Sequence, residues 1–256
     1  MNSTDAGASF SLRGIRNRPK HPNRLIDVIL DRNQNNTSKV HQINQPIKQK
    51  PILLSRNANV TVTSSARGNL GPPTVLNQIK SGKDWLKDRW QAASDMHGSA
   101  IPGSHWVMLD FSAMFHNSDG AIRITKVILD WETAYSSDYR IESRMDAPTT
   151  TGGENDDWCL LFDAGDEPFG QRNAYPHASV EQHGQSPGVK ERLPLHVIHK
   201  IYWMEGVRSD IYDEKCLSMR YLRIFIRKSA RGWGVSLWQV DVYGYTTLLS
   251  DAIEEQ

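Results

Sequence analysis

From Pro51 onward the chain reads as short runs in which apolar and polar residues alternate, cut by Gly, Pro, Asn and Asp. Asn59–Thr63, Trp106–Phe111, Ile122–Trp131, Tyr139–Ser143, Trp158–Phe162 and His196–Trp203 are such runs, and Tyr221–Arg227 and Ser236–Gly244 show the alternation most clearly. A period of two sends successive side chains to opposite faces of a strand. Eight short strands are therefore predicted, and with turn residues between them they point to an all-β sandwich. Arg220, Arg223 and Arg227 lie beside apolar positions, which fits a sheet with one face in water. Residues 144–157 and 163–192 carry Gly and Pro turns and are expected to be long loops, a length that goes with function or with disorder.

The pattern before Pro51 is different. Residues 1–50 are rich in Asn, Gln, Arg, Lys and Ser, hold no Trp or Tyr, and have one apolar patch, Leu25–Leu30. Such a segment buries too little surface to offset its ordering entropy. The expected organisation is a disordered basic tail over 1–50, a β-sandwich domain over 51–246 and a short C-terminal tail over 247–256. The alternative for Leu25–Leu30 is a docking motif that orders on a partner. Charge divides the same way. The first 50 residues hold nine Lys/Arg against three Asp/Glu, and the remainder is net negative, leaving +1 for the whole chain. A basic tail suits nucleic acid, but it lacks aromatics for stacking and a folded reader module, so no nucleic-acid partner is expected.

Composition removes several classes. With mean hydropathy −0.55, the chain has no apolar run near the ~18 residues a membrane span needs. The N-terminus shows no basic segment followed by an apolar one, so no secretory signal is read. Two cysteines, Cys159 and Cys216, exclude a disulfide-rich scaffold and a four-cysteine zinc site. They open two predicted strands and either pair, if those strands adjoin, or stay as buried thiols. No Gly-rich phosphate loop, nucleophile elbow or His-Glu-x-x-His is present, so no catalytic activity is predicted. His196 and His199 fall on opposite faces of one predicted strand, poor geometry for sharing a metal. His177 and His183 sit in a predicted loop. Asp156-Asp157 and Asp166-Glu167 read as solvated turn residues rather than a hydrolytic dyad.

Several segments then carry a resemblance. Val127–Glu142, with Trp131-Glu132-Thr133-Ala134-Tyr135 at its centre, Arg220–Ile224 and Gly234–Gly244 follow one another in an order that resembles discoidin domains, the coagulation factor 5/8 type C family. Arg89-Trp90 followed by His105–Phe111 is similar to that family's upstream frame, and the likeness runs from about residue 57 to residue 246. The resemblance implies a galactose-binding-like jelly-roll β-sandwich. It also implies non-catalytic binding, most often of a glycan or glycoconjugate, otherwise of phospholipid headgroups or proteins, in an extracellular or cell-surface setting. Two alternatives belong to other classes. One is a protein–protein adaptor or cell-adhesion module using the same loops. The other is an accessory binding domain of a carbohydrate-active enzyme.

Candidate ligand-binding residues lie on the predicted loops, where rigid strands present side chains to a partner. Trp233 stands between Gly232 and Gly234, and its ring suits the apolar face of a pyranose; packing within the loop is the alternative. Glu132 and Tyr135 lie where one predicted strand ends and the next begins. A carboxylate accepts paired hydrogen bonds from neighbouring hydroxyls, so Glu132 is a candidate anchor, with a plain surface charge as the alternative. His97, in the loop after Trp90, is a further candidate. Trp90 and Trp131 are expected in the core. The resemblance also implies a structural calcium, with Asp84, Asp88 and Gln239 as the available oxygen donors and Lys83 and Lys87 opposing a dication. The family's frequent disulfide at the domain ends is not reproduced. Asn35, Asn36 and Asn59 begin N-glycosylation triplets.

Overall fold

The computed structural model describes residues 50–65, 71–78, 84, 86–94, 97, 105–116, 118–148, 157–165, 177–185, 195–204 and 213–248. All of them lie within the unit Ile47–Gln256, the other unit being Met1–Pro46. Leu25–Leu30 and the expected tail up to residue 49 fall outside the described residues, as does the chain after Leu248.

Among the described residues twelve strands follow in chain order: β1 Ile52–Leu53, β2 Thr61–Ser64, β3 Trp90–Gln91, β4 His105–Asp110, β5 Gly120–Trp131, β6 Ser136–Arg144, β7 Cys159–Asp163, β8 His177–His183, β9 His196–Tyr202, β10 Ser218–Met219, β11 Tyr221–Ser229 and β12 Ser236–Leu248. They form two antiparallel sheets. One has the order β1-β12-β5-β9-β8, with β10 on β5 and β3 on β12; the other has the order β2-β4-β11-β6-β7. No α-helix occurs among the described residues, only three short 3₁₀ turns.

The inner faces meet in one core. Val240, Val242, Val127, Leu129, Trp131, Val197 and Ile201 face Val107, Leu109, Leu222, Ile224, Ile226 and Ile141, all buried. Burying an aliphatic side chain of this size stabilises the fold by about 1.5–3 kcal/mol, which makes the two facing rows the main source of stability. Trp90 and Trp131 are both 0% exposed, as the sequence predicts. All eight predicted strands are present, although β2 begins two residues later than the run Asn59–Thr63 suggests. β12 continues to Leu248 against Gly120, two residues past the domain limit of 246. Gly244 sits at a register shift of β12, where a Cβ would come within 2.1 Å of the Arg123 carbonyl oxygen. Only glycine allows this close strand approach.

Two expectations are corrected and one alternative is decided. Part of the predicted loop 163–192 is β8, paired with β9 along its whole length. His177 and His183 therefore stand at opposite ends of one strand, roughly 20 Å apart at ~3.3 Å per residue, and cannot share a ligand. Arg223 does not face water; it is 2% exposed. Its guanidinium bonds Glu142 at 2.7 Å and stacks over Trp158 at 4.3 Å and Phe225 at 4.9 Å, so aromatic side chains cover that stretch of the outer sheet face. The cysteine alternative also resolves. Cys159 at the start of β7 and Cys216 in the turn before β10 form a disulfide, with Cα atoms 5.8 Å apart.

Candidate functional site

Two connections at one end of the sandwich carry three of the predicted residues. Residues 132–135 join β5 to β6, and residues 230–235 join β11 to β12. Backbone hydrogen bonds lace them together: Ala230 N–H to the Tyr135 carbonyl at 3.0 Å, Ser236 N–H to Ala134 at 2.8 Å, and Glu132 N–H to Ser236 at 3.0 Å. The β11–β12 connection turns on one hydroxyl. Ser229 Oγ accepts the N–H groups of Arg231 (3.3 Å) and Gly232 (3.2 Å) and donates to the Gly234 carbonyl (2.7 Å). Gly232 and Gly234 have φ of 75° and 104°, which glycine adopts without the Cβ penalty. The glycines flanking Trp233 thus serve the turn, while the indole between them is left half exposed.

Trp233 is 52% exposed, against 0% for Trp90 and Trp131. Arg231 stands between two rings, its guanidinium carbon 5.9 Å from the centroids of both Trp233 and Tyr135. Tyr135 is half-buried and rests edge-on against His199 at 6.0 Å. The outcome is a short row, Trp233–Arg231–Tyr135, across the two laced connections. Arg231 escapes a motif search; its sequence signal is a stretch, Tyr221–Val240, with four basic residues and no acidic one.

Glu132 lies beneath this row rather than on it. It is 4% exposed, accepts the Ala134 N–H at 3.0 Å, and pairs with Arg89 at 3.2 Å. Burial pulls the Arg89 pKa down to about 10, with Glu132 opposing that shift. A buried pair of this kind props the turn and leaves no outward carboxylate for a ligand. His97 is exposed on the segment after β3, and the residues on either side of it lie outside those described.

The three calcium donors do not fit a cation. Asp84 Oδ1 accepts the N–H groups of Leu86 (3.0 Å) and Lys87 (3.2 Å), and its Oδ2 faces the Lys87 ammonium at 3.8 Å. Asp88 Oδ2 accepts the Asp84 N–H at 3.2 Å. Gln239 turns its amide N–H toward Asp241 at 2.6 Å, and Asp241 pairs with Arg56 at 2.7 Å. Both Asp84 oxygens and Asp88 Oδ2 are engaged within the protein, Gln239 is turned to donate rather than accept, and the Lys87 ammonium and Arg56 guanidinium already supply positive charge. No group of three metal-ligating side chains occurs among the described residues.

A cleft of about 330 Å³ lies elsewhere, against β2 and the 3₁₀ turn Pro73–Asn77, lined by Arg56, Asn57, Thr61, Thr74 and Asn77 among others. None of the predicted site residues lines it. An exposed ring on a pinned loop is the better candidate for an extended ligand, because stacking needs a free face rather than a cavity.

No family model matches the chain, and no curated protein does. Solved structures do resemble it. Chitosan-binding module 1 of a chitosanase/glucanase from Paenibacillus sp. IK-5 is 18% identical with a TM-score of 0.39, over 73% of this chain and 96% of that one. Module 2 from the same source, in complex with chitotriose, is 16% identical with a TM-score of 0.37, over 73% and 97%. A structure of the Streptococcus pneumoniae beta-galactosidase BgaA is 12% identical with a TM-score of 0.43, over 75% and 98%.

Proposed function

We propose that this domain is a non-catalytic carbohydrate-binding module that meets its ligand at the Trp233 loop. The observation that carries the reading is a half-exposed indole held by a Ser229-centred turn beside Tyr135. The sugar stacks on the Trp233 ring and meets the polar edge of Arg231. The discoidin resemblance supports the same class of ligand. A hydrolytic site needs two carboxylates held across a cleft. The carboxylates beside these connections are engaged instead, Glu132 with Arg89 and Asp138 with Arg227.

A glycan array on the full chain identifies the ligand, and Trp233→Ala tests the site. Stacking on an aromatic face contributes about 1 kcal/mol beyond area burial, and each ~1.4 kcal/mol is a factor of ten in affinity. Trp233→Ala is expected to weaken the best array ligand at least about tenfold and to leave the melting temperature unchanged. Trp131→Ala is the contrast, a core deletion costing ~3–5 kcal/mol and compromising folding. Wild-type affinity in a stable Trp233→Ala protein sinks the reading, as does an array without a hit. A protein partner retained through the same loop then becomes the better account.

A further inference from the structure

We infer that the Trp233 loop selects sugars bearing an anionic group, a carboxylate or a sulfate ester, and that Arg231 is the selecting residue. The inference rests on the reading of this loop as a glycan site. Its own support is the state of Arg231. The arginines of the preceding strand β11 are tied to carboxylates, Arg223 to Glu142 and Arg227 to Asp138 and Asp163. Arg89, beneath the loop, is tied to Glu132. Among the described residues Arg231 has no ion-pair partner, and its Nε is buried without a hydrogen-bond partner there. A buried donor without an acceptor is costly and calls for an explanation. Here the cost is borne where a ligand would come to rest, beside the most exposed aromatic ring among the described residues.

The chemistry of the row narrows the ligand. The Arg231 guanidinium lies within 5.9 Å of both ring centroids, and a guanidinium is planar, with paired N–H donors in a rigid fork. That arrangement matches the paired oxygens of a carboxylate or sulfate better than a single hydroxyl. A sugar whose ring lies on Trp233 then places an acidic substituent within reach of Arg231. A cationic glycan, such as a deacetylated chitosan oligomer, meets like charge at the same point and is disfavoured.

The test is calorimetric titration of the full chain with four oligosaccharides of matched length. They are an uncharged galacto-oligosaccharide, an oligogalacturonate, a sulfated galacto-oligosaccharide and a chitosan oligomer. One or both acidic oligomers are expected to bind at least about tenfold more tightly than the uncharged one at low salt, with chitosan weakest. Which acidic oligomer leads separates carboxylate from sulfate. The advantage is expected to shrink as salt rises, because a partly exposed charge is screened. In Arg231→Gln, with an unchanged melting temperature, the acidic-to-neutral ratio is expected to fall to about one. Equal binding of acidic and uncharged oligomers by wild type overturns the inference and leaves the glycan reading standing. So does a ratio that survives Arg231→Gln. If wild type binds none of the four oligomers the inference falls, and if Trp233→Ala binds the oligomers as wild type does the glycan reading at this loop falls with it.

Discussion

His199 shows how closely the core and the candidate site are joined at the scale of single residues. Its ring is buried on β9, the Trp131 indole N–H donates to its Nδ1 at 3.1 Å, and the Tyr139 hydroxyl lies 3.0 Å from the same nitrogen. Indole nitrogen only donates, so Nδ1 accepts and the ring is neutral. Burial pushes the His199 pKa down from 6.5 to about 3. An unfolded chain would bind that proton near pH 6.5, and the folded one only near 3, so between these values the unfolded state holds more protons. The stabilisation is complete above about pH 6.5 and is lost as pH falls toward 3, at up to ~1.4 kcal/mol per pH unit. Urea unfolding between pH 7.5 and 4 measures this slope. His199→Gln, which keeps an acceptor for Trp131, is expected to be less stable at pH 7.5 and flatter below it. Equal slopes in the two proteins would remove His199 as the acid-sensitive group. At this scale the sequence already separated Trp131 from Trp233, because an indole inside an alternating run and an indole between glycines have different neighbours. It did not reveal the burial of Glu132, since its partner Arg89 lies 43 residues upstream and no local pattern announces the pair.

Among the elements, legibility tracked the strength of alternation. β5, β11 and β12 carry long apolar–polar runs and are read directly. β8, with the sequence His-Ala-Ser-Val-Glu-Gln-His, has one β-branched apolar residue and owes its conformation to pairing with β9. Propensity gives way to tertiary context in such edge strands. The two-residue strands β1, β3 and β10 are set by the register of longer neighbours, which sequence period cannot show. The disulfide belongs to this scale too, since it ties the start of β7 to the turn before β10 across 57 residues. Closing a loop of that length in the unfolded chain is worth about 4 kcal/mol in the chain-entropy model. For a domain of this size ~1 kcal/mol shifts the melting temperature by roughly 2–4 °C. The Cys159→Ser/Cys216→Ser double variant should therefore melt roughly ten degrees lower than the oxidised protein, and reduction of wild type should reproduce the change. Identical melting curves with and without reductant would show that the bridge contributes nothing.

For the whole molecule, the order of motifs was enough to anticipate a two-sheet sandwich, but not how its ends are fastened. β1 pairs with β12, the Leu54 N–H reaches the Val242 carbonyl at 2.7 Å, and Ser55 Oγ accepts the Val242 N–H at 3.1 Å. Arg56 then bonds Asp241 at 2.7 Å, with Gln239 donating to the same carboxylate at 2.6 Å. The fastening of the entering segment to the closing strand is thus completed by a guanidinium and an amide, where the discoidin resemblance implies calcium. Both partners of the pair are mostly buried, at 13% and 14% side-chain exposure. Removing one partner of a fully buried pair costs ~3–5 kcal/mol, and for this partly exposed pair we expect roughly 1–3 kcal/mol. Arg56→Met should accordingly lower the melting temperature by roughly 3–10 °C. A chelator added to wild type should leave it unchanged, because a protein stabilised by a bound metal loses that stabilisation when the metal is withdrawn. A chelator that lowers the melting temperature by several degrees, with calcium restoring it, would return Asp84, Asp88 and Gln239 to the role of ligands. An inert chelator alongside a destabilised Arg56→Met protein would establish the arginine as the cation that joins the two ends of the sandwich.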